Sequence, residues 1–283
     1  MEKSNGKAIY NPSGKAGEYS EWACNFYVGC SHGCTYCYLK KGRGAKVLGG
    51  NYPVLKKGFK DEHHALRIFE KELKQNVEAL QQHGLFFSVT TDPLLDEPKG
   101  LTLGALAICI ASGVPVKILT KNSDNALLEF IPAGENDDRR RFYMRHGESI
   151  AIGFTLTGHS EMEPNAPINA QRVAAMRVLH TAGYKTFASI EPVIDFPTAK
   201  VLIKQTLGHC DLYKIGLMAG QKYDAVEAQT FVEWLQEQSD APTIYLKDRL
   251  RSLTNYVLPH ETPGTVLPEN FVVRGYNIFH SMI

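Results

Sequence analysis

Three cysteines at short, unequal spacings are the residues of this sequence whose chemistry is easiest to recognise. The segment from Cys30 to Cys37 reads Cys-Ser-His-Gly-Cys-Thr-Tyr-Cys, a C-x3-C-x2-C pattern. Three thiolates on one tight loop can bind three irons of a cubane cluster, which leaves the fourth iron without a protein ligand. An open metal position lets a substrate or cofactor bind directly, as in catalytic rather than structural sites. The pattern therefore predicts a catalytic 4Fe-4S cluster held by Cys30, Cys34 and Cys37.

A structural metal site in a non-catalytic protein is the alternative for the same cysteines. Zinc usually takes four ligands in paired spacings, and the fourth would have to be Cys24, His32 or a remote residue. The other two cysteines stand alone in the sequence. Cys109 lies in an apolar segment that predicts a core position, and Cys210 is predicted at the end of a helix. A non-catalytic iron-sulfur or zinc-binding protein therefore stays open as a second interpretation.

Alternating helices and strands are predicted to position the cysteine loop. Apolar residues at helical spacing predict helices over 62–83, 103–113, 169–182, 198–207 and 224–238. Short β-rich runs predict strands over 85–91, 116–121, 151–157, 185–193, 212–217 and 243–247. Polar segments 40–58, 134–148 and 259–270 are predicted as loops, the last of them closing one end of the domain. With residues 26–29 as the first strand, right-handed crossovers give an α/β fold, a partial parallel (β/α) barrel of about six to seven βα units, TIM-barrel-like.

Length and composition predict one soluble domain. The chain has 283 residues, 43% hydrophobic and 22% charged, which is ordinary for a globular domain spanning residues 1–283. No apolar run approaches the roughly 20 residues of a membrane span. The first twenty residues are polar and lack the apolar core of a secretory signal. A cytoplasmic protein without membrane association is expected.

The charge balance leaves the kind of substrate open. Formal net charge is +1, from 31 basic and 30 acidic side chains, so bulk charge neither indicates nor excludes a nucleic-acid partner. Residues 137–145 concentrate four arginines and two aromatic residues on a predicted loop, which could meet an anionic substrate. An ordinary charged surface loop is the other interpretation of that segment.

The cysteine motif also carries a family resemblance. C-x3-C-x-Tyr-C after the first strand of a β/α barrel resembles the signature of the radical S-adenosylmethionine superfamily, and residues 25–39, NFYVGCSHGCTYCYL, are most similar to its spore photoproduct lyase-like branch. The similarity extends over a core of about 25–220, with 221–283 expected as an extension that packs on the barrel. It implies a reduced 4Fe-4S cluster that cleaves S-adenosyl-L-methionine to a 5'-deoxyadenosyl radical, which abstracts hydrogen from the substrate. A flavodoxin or ferredoxin is implied as reductant, and nucleic acid, a metabolite or a peptide stay open as substrate.

Residues at the ends of the predicted strands are the candidate cofactor contacts, because barrel active sites lie at strand carboxyl ends. Tyr36 holds the position where the family has an aromatic residue near the cluster or adenine. Thr91 and Asp92 end the second strand, and a carboxylate there could accept from the cofactor's amino group. Lys121 ends the third strand, where a cation could pair with the cofactor carboxylate. Thr155 on the fourth strand is favoured over Thr157 as a contact to the ribose.

Further candidates lie later in the chain. Ser189 and Glu191 share one face at the end of the fifth strand, with Ser189 expected at the cofactor and Glu191 the candidate catalytic residue. Glu163 and Arg172 could form a pair that clamps a loop over the site or touches the cofactor, although a plain salt bridge is equally open. His32 could contact the cluster sulfur or simply be solvated.

Position 90 distinguishes this chain from the photoproduct lyases that it resembles. Those enzymes carry a cysteine just before the Ser/Thr-Asp pair, and its thiol returns a hydrogen atom to the thymine radical. Here the residue is Thr90, whose O–H bond is far stronger than a thiol S–H bond. The chain is therefore predicted not to repair thymine photoproducts.

Overall fold

An open, mostly parallel sheet of eight strands dominates the computed structural model, which describes residues 5–41, 44–134, 136–238, 243–254 and 270–279. In chain order the strands of this described part are β1 (Ile9–Tyr10), β2 (Ala23–Cys24), β3 (Tyr27–Val28), β4 (Val54–Leu55), β5 (Leu85–Phe87), β6 (Val116–Thr120), β7 (Ile150–Thr155), β8 (Lys185–Val193), β9 (Leu212–Leu217) and β10 (Thr243–Leu246).

The strand order confirms a partial parallel barrel. The large sheet runs β1-β2-β5-β6-β7-β8-β9-β10, and every neighbouring pair is parallel except β1 with β2. The first and last strands do not pair with each other, so the barrel stays open along one side. β3 and β4 form a separate antiparallel pair.

Helices follow the parallel strands, as right-handed crossovers require. They are α1 (Ala45–Leu48), α2 (Glu62–Gln75), α3 (Val77–His83), α4 (Asp96–Ala111), α5 (Ser123–Phe130), α6 (Asp138–Arg145), α7 (Asn169–Thr181), α8 (Phe196–Thr206), α9 (Ala225–Gln236) and α10 (Asp248–Leu253). Aspartate side chains cap several of them; Asp195, for example, accepts from the backbone N–H of Thr198 at 2.7 Å at the start of α8. None of the helices in the described ranges combines the length and apolar character that crossing a bilayer requires.

Side chains alternate across the strands, so the sheet has two cores. The larger core lies between the sheet and the helices, and a smaller cluster inside the barrel includes Phe86, Ala151, Phe187 and Tyr245. Gly153 leaves room for this packing, since a Cβ there would overlap the Phe187 ring. The barrel interior therefore contains packed side chains.

Two lysines are also buried against the barrel interior. Burial lowers the pKa of Lys117 to about 8, and its ammonium donates to the carbonyl of His83 at 2.9 Å. Burial lowers the pKa of Lys214 as well, and its ammonium donates to the carbonyls of Glu18 and Tyr19 at 2.9 and 3.1 Å. Lys214 therefore ties residues that precede the first parallel strand to the wall of the barrel.

The predicted first strand was wrong in position. The parallel strand is β2, Ala23–Cys24, whereas Tyr27–Val28 pairs with Val54–Leu55 outside the barrel. Asn25 explains why the parallel strand ends so early. Its side-chain oxygen accepts from the backbone N–H of Val89 at 2.7 Å, in place of a further backbone bond between β2 and the chain that follows β5. The strand therefore ends one residue before Asn25.

Other predicted elements needed correction. The 134–148 loop contains α6, which Asp137 caps by accepting from the N–H of Arg140, and the 40–58 loop contains α1 and β4. The helix predicted over 62–83 is interrupted at Asn76, whose side chain donates to the carbonyl of Glu72 at 2.7 Å. α4 begins at Asp96, seven residues before its predicted start, because its first turn is polar and shows no apolar spacing that would predict a helix.

Residues 221–283 contribute a strand to the same sheet. β10 pairs in parallel with β9, and a bridge from Ile244 to Phe271 continues beyond it. The predicted 259–270 loop lies outside the described residues apart from residue 270. The division at residue 220 stays a prediction.

Candidate functional site

A cavity of about 300 Å³ opens at the carboxyl ends of the parallel strands. It brings together most of the predicted site residues: Cys30, Cys34, Cys37, Tyr36, Thr91, Asp92, Lys121, Thr155 and Glu191. Residues that were not predicted also line it, among them Lys15, Tyr19, Tyr38, Met218 and Lys247. Ser189 and Thr157 are buried beside it and do not line it.

The cysteine loop follows β3 and turns tightly. The N–H of Cys37 donates to the carbonyl of Cys34 at 3.3 Å, and Gly33 has a φ of +71°, which favours glycine. Cys34 is buried, whereas Cys30 and Cys37 are half-buried at the cavity. Burial, followed by the nearby charge of Asp92, raises the pKa of the Cys30 thiol to about 12. Binding of a metal as thiolate at this position must therefore release a proton.

A second loop, residues 162–167, holds the cysteine loop from outside. The N–H of Thr35 donates to the carbonyl of Met162 at 3.0 Å. The N–H of Asn165 donates to the carbonyl of His32 at 3.2 Å, and its side chain donates to the carbonyl of Ser31 at 2.9 Å. A Cβ at Gly33 would lie 3.2 Å from the Asn165 amide nitrogen, so the two loops fit closely.

A buried ion pair fixes that second loop. Glu163 and Arg172 are fully buried and paired, and the Arg172 guanidinium also donates to the carbonyls of Thr155 and Pro167 at 2.8 Å. The Tyr36 hydroxyl donates to the other oxygen of Glu163. Burial and the Glu163 charge raise the pKa of Tyr36. The predicted Glu163–Arg172 pair thus clamps the loop and connects it, through Tyr36, to the cysteine motif.

Lys121 is the cation nearest to this group. Its ammonium lies 4.0 Å from Glu163 Oε1 and 5.6 Å from the centroid of the Tyr36 ring. A contact at 4.0 Å is at the limit of an ion pair, and an ammonium has three donors. Lys121 can therefore bind a further anion in the cavity.

Both carboxylate oxygens of Asp92 accept hydrogen bonds from other groups of the protein. Its Oδ1 accepts from the Thr120 hydroxyl at 2.7 Å and the Leu94 N–H at 3.0 Å, while Oδ2 accepts from His32 Nε2 and the Lys121 N–H, both at 2.7 Å. Burial opposes ionisation, but these donors outweigh it and lower the pKa of Asp92 to about 2. A direct contact from Asp92 to a cofactor would have to displace one of these bonds.

Thr91 differs from its neighbour. It is only 8% exposed and lines the cavity, and its hydroxyl has no hydrogen-bond partner within the described part of the protein. Buried hydroxyls normally have partners. The wall of the cavity therefore contains a hydroxyl that is buried and has no partner among the described residues.

Polar residues converge on the opposite wall. The Tyr19 hydroxyl lies 2.7 Å from both Ser189 Oγ and Glu191 Oε2, and Lys247 pairs with the same Glu191 oxygen. Lys247 also lies 3.5 Å from Glu18 and 4.1 Å from the Tyr19 ring centroid. Burial and the Glu191 charge raise the pKa of Tyr19. Glu191, the candidate catalytic residue, thus lies at the cavity in contact with Tyr19 and Lys247, while Ser189 stands behind Tyr19.

Two residues of this wall, Lys247 and Tyr19, were not predicted from the sequence, and the reasons differ. Lys247 is the last residue of the predicted strand 243–247 and directly follows β10, so the strand-end rule could have found it. Tyr19 follows a short 3-10 turn, Ala16–Glu18, in a polar segment before the motif, where no sequence signal indicated a site.

Several other sequence features lie away from the cavity. Cys24, Cys109 and Cys210 are buried outside it, as predicted for Cys109. In α6, Arg139 pairs with Glu129 at 2.5 Å and Arg140 with Asp137 at 2.8 Å. No α6 residue lines the cavity, so this arginine segment is not part of the site.

The donor set at the cavity fits a cluster with a bound cofactor. In the described ranges, no three His, Cys, Asp or Glu side chains form a group arranged around a single metal ion. The thiolates of a cubane bind different irons, so they need not converge on one point. The Lys121 ammonium would remain available to a polar ligand beside the cysteines, and the Thr91 hydroxyl lies buried in the same wall without a partner among the described residues.

No protein-family model matches the chain. The uncharacterized protein MJ0683 of Methanocaldococcus jannaschii is 24% identical over 249 residues, which cover 82% of this chain and 83% of that protein. Streptococcus suis SuiB, solved bound to S-adenosylmethionine, has a TM-score of 0.55 at 12% identity, over 82% of this chain. A second SuiB structure also gives 0.55 at 12% identity, over 84% of this chain.

These likenesses define the class of fold, an α/β partial barrel with a mostly parallel sheet. SuiB, a structural neighbour with this fold, binds S-adenosylmethionine. The chain spans about half the length of SuiB, with 51% and 52% of the two SuiB chains covered.

Proposed function

We propose that this protein is a radical S-adenosylmethionine enzyme. The observation that carries the proposal is that Cys30, Cys34 and Cys37 share one cavity at the strand ends with the unpaired hydroxyl of Thr91. The fold shared with SuiB, solved with S-adenosylmethionine bound, supports it. One-electron reduction of the cofactor, giving a 5'-deoxyadenosyl radical that abstracts hydrogen from the substrate, is the chemistry that a 4Fe-4S cluster would supply here. The spore photoproduct lyase-like branch remains a hypothesis within this class.

The residues of the chain have distinct tasks in this proposal. Cys30, Cys34 and Cys37 hold the cluster as thiolates. Lys121 offers a cation to the carboxylate of the cofactor, and Thr91 offers a hydroxyl to its polar end. Tyr36 and Thr155 contact the cofactor from the cavity wall. Asp92, predicted at the cofactor, also orients His32 and the backbone before Lys121.

The far end of the cavity is assigned to the substrate. The buried Lys247 pairs there with the half-buried Glu191, and Glu191 is the candidate group for holding a substrate proton or hydroxyl. Apolar residues such as Phe86, Leu217 and Met218 also line the cavity. Such a lining excludes water from reacting groups.

The proposal is tested by cluster assembly and cofactor cleavage. Anaerobically reconstituted protein is expected to be brown, with absorbance near 400 nm, about four irons and four sulfides per chain, and release of 5'-deoxyadenosine with dithionite. Replacing any one of Cys30, Cys34 or Cys37 by alanine should abolish cluster retention and cleavage.

Matched cysteine controls separate ligand loss from general damage. Cys109→Ala and Cys210→Ala remove buried thiols outside the cavity and should keep both iron and cleavage. A Cys34→Ala protein that still carried about four irons and made deoxyadenosine would refute the assignment. Bound zinc in place of iron would favour the non-catalytic alternative.

A further inference from the structure

The segment around the cysteine motif has an unusual local charge. Between Trp22 and Lys60 the sequence contains no aspartate or glutamate, although the whole chain has 30 of them. The same segment contains the following cations: Lys40, Lys41, Arg43, Lys46, Lys56, Lys57 and Lys60. The chain is almost neutral overall, so this excess of positive charge is local.

Exposed apolar side chains accompany this charge. Val47 is 70% exposed, Tyr52 71% and Val54 60%. The lysines at positions 40, 41 and 46 are exposed as well. We call the six residues Lys40, Lys41, Lys46, Val47, Tyr52 and Val54 the cluster-side patch. Apolar residues within a charged surface are typical of sites that bind a protein partner.

The segment that carries the cluster-side patch packs directly on the cysteine loop. The N–H of Cys30 donates to the carbonyl of Gly50 at 3.0 Å, and the N–H of Lys40 donates to the carbonyl of Cys37 at 3.2 Å. The segment folds back on itself, with the Lys40 ammonium donating to the Asn51 side chain at 2.9 Å. None of the six patch residues lines the cavity. A partner bound there would be close to the cysteines.

We propose that the cluster-side patch is the docking site of a small acidic electron-transfer protein. The inference rests on the proposed function, because it assigns a surface of this chain to the reductant that the cluster needs. One electron leaves the reduced flavin or iron centre of the donor and enters the cluster, and no bond is made or broken. Electron transfer weakens steeply with distance, so the donor must dock beside the cysteines.

Charge complementarity favours an acidic protein as the occupant. Lysines on one side and carboxylates on the other steer the encounter and set its orientation, while the apolar residues slow dissociation. A nucleic-acid substrate would also be attracted by the lysines, but a substrate must reach the cavity and the patch residues lie outside it. The patch therefore fits the reductant better than the substrate.

Charge reversal on the patch tests the proposal by binding. In the variant Lys40→Glu/Lys41→Glu/Lys46→Glu, the affinity of the reconstituted protein for flavodoxin or ferredoxin at low salt should fall by about tenfold or more. The control Lys71→Glu/Lys74→Glu/Lys204→Glu changes the same charge at exposed lysines on α2 and α8 and should keep affinity within about threefold. Val47→Ser/Tyr52→Ser should speed dissociation of the complex.

Activity with two reductants separates this inference from the proposed function. Flavodoxin-driven formation of deoxyadenosine should fall in the patch variant, while the dithionite-driven rate stays at the unmodified level. Equal binding by patch and control variants, or no binding of either carrier by the unmodified protein, would overturn the docking site. Loss of single-stranded oligonucleotide binding with unchanged flavodoxin affinity would overturn it in favour of nucleic acid. If the unmodified protein made no deoxyadenosine with dithionite, the proposed function would fail, and the binding comparison would still decide the patch.

Discussion

At the scale of single residues, Thr91 and Asp92 show how adjacent polar side chains take different tasks. Asp92 is buried with protein donors on both oxygens, whereas the Thr91 hydroxyl has none within the described residues. Leaving a buried hydroxyl unpaired destabilises a fold by roughly 1–3 kcal/mol. If the proposed cofactor bonds to Thr91, binding removes this destabilisation.

Two substitutions separate cofactor binding from stability. Thr91→Val keeps the shape and removes the unpaired hydroxyl, so it should weaken S-adenosylmethionine binding about fivefold and leave the stability of the free protein equal or higher. Lys121→Met should weaken binding about tenfold or more, because it removes a cation beside the cavity. Calorimetric titration and urea unfolding measure the two effects.

Thr157 provides the matched control for this pair. It is buried on the same chain segment as Thr155, does not line the cavity, and its hydroxyl accepts from the His159 N–H at 3.2 Å. Thr157→Val should lower stability and leave cofactor affinity unchanged. Unaltered affinity in both the Thr91 and Lys121 variants would remove these residues from the cofactor site.

The sequence located much of this site because of one geometric rule. Lys121 and Thr155 lie at or next to a strand end, Glu191 lies two residues before the end of β8, and Thr91 follows the end of β5 by four residues. The carboxyl ends of parallel strands meet at one rim. The rule does not predict the direction in which a side chain points. Ser189 was predicted by the same rule, but it is buried behind Tyr19. Hydrogen-bond occupancy, as at Asp92, depends on residues distant in sequence and was not predictable.

At the scale of elements, the segment that precedes the first parallel strand completes the barrel wall. The 3-10 turn of this segment places the Tyr19 hydroxyl against Glu191. The ammonium of Lys214, on β9, donates to the carbonyls of Glu18 and Tyr19. The segment is attached at its other end to α2. Backbone N–H groups of Lys7, Ala8 and Ile9 all donate to the carboxylate of Glu72, at 2.7 to 3.0 Å.

Removing that carboxylate should loosen the segment. Glu72→Ala is expected to lower the free energy of unfolding by roughly 1–2 kcal/mol, since it removes charge-assisted bonds to three N–H groups. Amide hydrogen exchange at residues 7–9 should become faster, while the iron content after reconstitution stays the same. Glu70→Ala on the same helix, whose partner Lys74 is solvent-exposed, should change stability by less than about 0.5 kcal/mol. Equal effects of the two substitutions would contradict this role of Glu72.

Elements with a strong apolar period were predictable, and short ones were not. β8 and β9 have the predicted limits, Lys185–Val193 and Leu212–Leu217: β9 is a continuous buried run, and β8 is buried except at Lys185 and Glu191. β2 has only two residues, and its end depends on the side chain of Asn25 bonding to a residue far along the chain. A contact between residues so far apart in the chain leaves no periodic pattern in the local sequence from which it could be predicted.

At the scale of the whole molecule, the six cysteines divide into two sets. All of them lie in the described part of the chain, where Cys30, Cys34 and Cys37 line the cavity and Cys24, Cys109 and Cys210 are buried outside it. The proposed cluster uses every cysteine of the first set. A thiol that returns hydrogen to a substrate radical would have to come from the second set, and none of those reaches the cavity.

The expectation that this protein does not repair thymine photoproducts stays a prediction. Thr90 stands where the photoproduct lyases carry their donor cysteine, and its hydroxyl donates to the carbonyl of Tyr27 at 2.6 Å and does not line the cavity. Reduced protein incubated with cofactor and the dinucleotide photoproduct should yield no thymidylyl-thymidine over repeated turnovers, as measured by chromatography. Thr90→Cys should not create the activity, because its thiol would occupy the site of a hydroxyl that faces β3. Deoxyadenosine formed in the same reaction mixtures shows that the cluster is active. Multiple turnovers to clean dinucleotide by the unmodified protein would contradict the prediction, and Cys24→Ala would then test whether the buried thiol of β2 is the donor.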